Sequence, residues 1–168
     1  EYAVQLNNRP VIVDMSENNG ITLAASTQGS DLRLLDVLRR SDLKIDPHVM
    51  MDTFKDGVGM GSSGELKRVV CGAVDPDGTR VMLCRADDTI VLINTVTGHI
   101  RAHKVRLDRD MMAKFSTRGD SDIGTFTCCE LSDGVGLGEG IAAAGSHTGF
   151  FWMARVNRDL SIQVLQPH

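Results

Sequence analysis

With 168 residues, 42% of them hydrophobic and 24% charged, the chain has the makings of one globular core, which excludes wholesale disorder and low complexity. A formal net charge of -4 leaves no basic surplus for phosphates, so neither nucleic acid nor an anionic membrane surface is an expected partner. The longest apolar runs, such as 89–96, are far too short to span a bilayer, and the opening EYAVQLNNRP has neither a basic stretch nor an apolar signal core, which predicts a soluble protein, cytoplasmic or inside an organelle.

Taken in chain order, the sequence predicts strands over 11–15, 21–26 and 32–37, separated by turns at Glu17 to Gly20 and Gly29 to Asp31. A first insert, 46–65, follows; it holds one helical turn around Val49 to Phe54 and then a Gly/Ser-rich loop. The clearest unit comes next. Strands at 67–74, 80–85 and 89–94 and a short fourth strand are broken by a Pro76 to Gly78 turn, an Asp87-Asp88 turn and a Thr97-Gly98 corner. A second insert, 107–122, contains a short amphipathic helix around Asp108 to Phe115. The last unit runs from Phe126 through a glycine-stretched turn to a third strand at 150–154 and a fourth at 160–165.

The three units repeat one order, and their third strands align as Leu32-Arg33-Leu34-Leu35-Asp36, Ile90-Val91-Leu92-Ile93-Asn94 and Phe150-Phe151-Trp152-Met153-Ala154. This layout resembles the WD-repeat family, whose third strand ends in an aromatic residue followed by Asp. Asp36 and Asn94 stand at that Asp position and Asp87 at the turn Asp. Leu35, Ile93 and Met153 replace the family's Trp, and no Gly-His pair precedes a first strand. The resemblance implies an all-β fold: a partial β-propeller of about three four-stranded antiparallel blades, at 10–45, 66–106 and 124–166, carrying two inserted loops. A β-sandwich is the structural rival. Closed propellers use roughly four to eight blades. The expected setting is therefore a larger protein or assembly in which another segment or chain completes the ring.

In such a fold the inserts and the second-to-third strand turns share one rim, a natural docking surface. The expected function is a non-enzymatic protein-protein interaction scaffold with no cofactor, using Thr27, Gln28, Arg85, Asp87 and His147 on the short turns and the adaptable pair Met111 and Met112 on an insert. Two alternatives stand beside it: a nucleotide-binding or enzymatic domain using a glycine-rich loop, and a structural subunit of a ribonucleoprotein or cytoskeletal complex.

The residues that could carry chemistry read blandly in sequence. Gly59-Met60-Gly61-Ser62-Ser63-Gly64 fits a phosphate-cradling pattern, but a strand, not a helix, is predicted after it; Asp133 to Gly138 resembles Asp56 to Gly61 and leads to Gly140 to Ala144, where a helix has no room. His99 and His103 would lie about 13 Å apart on a strand, too far to share a metal ion. Arg101, Lys104 and Arg106 form a basic stripe on an expected outer strand. Asp75, Asp77, Asp87 and Asp88 are turn formers rather than an acid and base set. Cys71, Cys84, Cys128 and Cys129 are expected as reduced core thiols, with Cys128 and Cys129 on opposite faces of a strand and no metal bound.

Overall fold

The structure, a computed structural model, describes residues 10–16, 18–26, 32–36, 41–43, 69–86, 88–105, 125–133 and 139–165. These residues form strands and turns, with no helix among them. The helical turns expected within the inserts lie outside the described residues.

Twelve strands make three four-stranded antiparallel sheets, each a meander of consecutive strands. The first sheet contains β1 (Pro10–Met15), β2 (Ile21–Ser26), β3 (Leu32–Asp36) and β4 (Ser41–Leu43). The second contains β5 (Val69–Val74), β6 (Arg80–Arg85), β7 (Thr89–Asn94) and β8 (Ile100–Lys104). The third contains β9 (Phe126–Asp133), β10 (Gly140–Ser146), β11 (Phe151–Val156) and β12 (Ile162–Val164).

The second sheet lies between the other two, with β5 beside both β1 and β9. Strand alternation then divides its side chains between two cores. Val81, Leu83, Val91, Ile93 and Ile100 join Ile21 and Leu23 of the first sheet. Met82, Cys84, Ile90, Leu92, Cys71 and Ala73 join Phe126, Leu131, Ala142, Ala144, Trp152, Ala154 and Val156 of the third. Each fully buried aliphatic side chain here contributes about 1.5–3 kcal/mol. Because both faces are covered, β6 is buried from end to end, an apolar run from Val81 to Cys84 between buried Arg80 and Arg85. The three sheets form a row that is not closed into a ring among the described residues.

Turns tie the first two sheets together at one end. The Asn18 backbone N–H donates to the Pro76 carbonyl at 3.0 Å, and the Asn18 side-chain amide donates to Asp77 at 2.8 Å. The Asn19 side chain donates to the Asp77 carbonyl. Val74 N–H donates to the Asp14 carboxylate at 2.7 Å. Gly78 makes this closeness possible: its φ is +67°, and a Cβ there would stand 2.6 Å from Ile21 Cγ1.

Gly140–Ser146 is the second strand of its sheet, pairing with both β9 and β11, the place the four-stranded order leaves after the glycine-stretched turn. One strand expectation is corrected. The third strand of that sheet is Phe151–Val156, not 150–154, and the turn after it begins at Asn157, whose backbone N–H donates to the Ser161 carbonyl. In the second sheet the corresponding turn begins at Asn94, whose N–H donates to the His99 carbonyl. Asn157 therefore matches Asn94, three places beyond the aligned Ala154. A slip by an odd number of residues exchanges the two faces of a strand. Ile93, which faces the preceding sheet, corresponds to buried Val156 and not to Met153. The run Phe150-Phe151-Trp152-Met153 is apolar at both parities, so alternation could not set its register.

Candidate functional site

The strand directions place the β2–β3, β6–β7 and β10–β11 turns at one end of the row, together with the chain leaving β4 and β8. Thr27, Gln28, Asp87, Met111 and Met112 lie outside the described residues. Arg85 ends β6 and is buried, so its side chain sits beneath this end of the row. His147 is exposed in the β10–β11 turn, with its backbone N–H on the Thr125 carbonyl at 3.2 Å and its ring Nδ1 3.2 Å from the same oxygen. Asp88, in the β6–β7 turn, has a left-handed φ of 60° and accepts the Val105 N–H through its carbonyl at 2.8 Å. Of the two docking candidates among the described residues, Arg85 is buried and His147 is exposed.

Beneath that end lies a cluster the sequence reading did not assemble. Cys71 of β5 and Cys84 of β6 are cross-strand partners. Packing of β9 against β5 and β6 brings Cys129 to them, and the three Sγ atoms all lie within 4.8 Å of one another. Cys71 and Cys84 are buried and Cys129 is half-buried. Cys128 points the other way and is exposed, as strand alternation requires. No disulfide links the four thiols. Contact with the Cys129 and Cys84 thiols holds Cys71 well below the ordinary thiol range, against its burial. Hydrogen bonding to Cys71 and Cys84, followed by burial, pushes Cys129 up. Cys84 is also raised: a lowering contact with Cys129 is outweighed by hydrogen bonding to Cys71 and by burial.

Half of this cluster was legible. Cys71 stands three residues before Val74, and Cys84 three beyond Val81, so a hairpin in which Val74 pairs with Val81 must bring the two cysteines opposite each other. The approach of Cys129 depends on how two sheets pack, which no local pattern announces.

The acidic residues act structurally. Asp75 is fully buried and accepts from the Thr79 N–H at 2.7 Å, the Thr79 hydroxyl at 2.9 Å, the Arg80 N–H at 3.0 Å and the Arg80 Nε at 2.9 Å. The Arg80 guanidinium continues toward Asp133 of the third sheet at 3.6 Å. It passes over Gly140, where a Cβ would stand 2.6 Å from its Nη1. Asp77 stands in the β5–β6 turn, and its partners come from the first sheet.

The histidines are also placed apart. His99 is exposed in the β7–β8 turn, while the His103 ring Nε2 lies 2.8 Å from the Leu160 carbonyl. Burial lowers the His103 pKa, the Leu160 carbonyl raises it, and the nearby Arg101 lowers it further. Arg101 pairs with Asp159 at 3.3 Å, so the outer strand β8 is held against the β11–β12 turn of the next sheet. Gly59 to Gly64 and Gly134 to Gly138 lie outside the described residues; the stretch after the latter, where a phosphate site needs a helix, is β10.

No described helix is long and apolar enough to cross a membrane. No family model matches the chain, and no curated protein matches it significantly.

Proposed function

We propose that the chain is a propeller-type interaction scaffold of the cytoplasm, related in layout to WD repeats, whose turn-bearing rim docks other proteins. The observation that carries this reading is the stacking of three four-stranded meanders in sequence order, first strand beside first strand. That is how blades are arranged about a propeller axis. The outer face of the third sheet supports it further. Ile141, Ala143, Phe151 and Met153 share that face, and Phe151 is 64% exposed, which suits a seat for the sheet that would continue the row. The strand at Gly140–Ser146 favours this reading over nucleotide chemistry, because it replaces the helix whose N-terminus would hold a phosphate.

The test is affinity purification with the intact chain and with two variants, Met111→Lys with Met112→Lys, and His147→Ala. The expected result is a defined set of partner proteins that both variants lose while the thermal transition is unchanged. Retention of every partner by both variants, or a melting temperature raised by nucleotides with no specific protein partner, overturns it.

A further inference from the structure

We propose that Cys71, Cys84 and Cys129 form a three-thiolate site for a thiophilic metal ion of the zinc class, clamped across the joint between the second and third sheets.

The geometry is close to what such an ion needs. Zinc-thiolate bonds of about 2.3 Å at tetrahedral angles set sulfur atoms roughly 3.8 Å apart. The three Sγ atoms lie within 4.8 Å of one another, so side-chain rotation of about an ångström gathers them. Their donors are well anchored. Cys71 and Cys84 are fixed by the β5–β6 register, and Cys129 by the pairing of β9 with Ala144 of β10. They share one apolar core with Ala73, Met82, Ile90, Phe126 and Ala144. That setting offers no competing carboxylate, and soft thiolates select zinc-class ions over magnesium or calcium.

The donor count gives the site its character. Among the described residues no fourth His, Cys, Asp or Glu joins the cluster, and Cys128 faces the opposite side of β9. Three protein ligands leave the fourth place to water or to an external thiol, a coordination found in zinc sites that keep an open position. The half-buried Cys129 marks the side from which an ion enters. Each thiolate that binds must first lose its proton, so affinity rises with pH. An ion here would cross-link two sheets that are otherwise joined by packing and a few polar contacts.

The intact chain, reduced and freed of metal by a chelator, is titrated with Co2+ and then Zn2+. Expected are one equivalent per chain, thiolate-to-cobalt charge-transfer bands with tetrahedral d–d intensity, and loss of both on adding Zn2+. Cys84→Ser should weaken binding by about a hundredfold or more, beyond the loss that follows from removing an outer-shell partner. Cys128→Ser should bind unchanged. Alkylation mapped by mass spectrometry needs no variant: Zn2+ should protect Cys71, Cys84 and Cys129 while Cys128 reacts. An octahedral cobalt spectrum, bands that survive Cys84→Ser, equal alkylation with and without Zn2+, or a Cys71–Cys84 disulfide in the freshly purified chain each overturns the proposal.

Discussion

The second and third sheets have the same strand number, order and antiparallel pairing, yet they are buried in different ways. Along β6 every residue is buried, whereas β11 alternates exposed Phe151 and Arg155 with buried Trp152, Ala154 and Val156. The strands do not differ in kind; they differ in neighbours. A sheet covered on both faces needs apolar residues at both parities, and one covered on a single face needs them at one. The apolar residues that the third sheet still carries on its outer face, Ile141, Phe151 and Met153, are therefore what a further neighbour would cover.

The largest expected effect probes the joint between these sheets. Asp75→Ala removes the acceptor of four hydrogen bonds and leaves Arg80 buried beside it, at an expected cost of about 3–5 kcal/mol in urea unfolding. Leu83→Ala, in the face toward the first sheet, should cost about 2–5 kcal/mol. Gly78→Ala should cost at least about 1 kcal/mol, since alanine meets both the left-handed backbone and Ile21. A cost near zero would mean that the first sheet is not held against that turn.

Next comes a pH effect. Burial favours neutral His103, so the unfolded chain takes up that proton more readily. Stability is full above the ordinary histidine value of 6.5 and falls as the pH drops through it toward the lowered folded value. His103→Asn should flatten that slope in thermal melts between mildly acidic and neutral pH; an unchanged slope assigns the acid sensitivity elsewhere. The smallest effect is the sharpest test of the comparison. Phe151→Ala should change stability by no more than about 0.5 kcal/mol in the isolated chain. A core-sized loss would mean that the outer face of the third sheet is already covered.

The boundaries of β6 and β7 were readable to the residue because Pro76 to Gly78 and the Asp-Asp turn punctuate them. The three-unit order was readable from the same punctuation. What escaped was whatever depends on contact between units. The apolar run of β6 does not say which face meets which sheet, and the Phe-Phe-Trp-Met run of β11 allowed a three-residue slip. In the candidate metal site the hairpin partners were legible from their spacing about the turn, while Cys129 became a partner only when two sheets met. The partner of Arg101 in the basic stripe was illegible for the same reason: Asp159 lies 58 residues away.

Gly140 bears on how the chain can vary. The guanidinium of Arg80 occupies the volume that any side chain at position 140 would need. The two positions thus behave as a key and its keyhole. A side chain at 140 would also meet the Ser132 carbonyl, 2.6 Å from where its Cβ would stand, and shortening residue 80 to clear the guanidinium would release Asp75 from its buried partner. Among sequence variants of this chain, position 140 should therefore stay glycine, while positions 75 and 80 should change together.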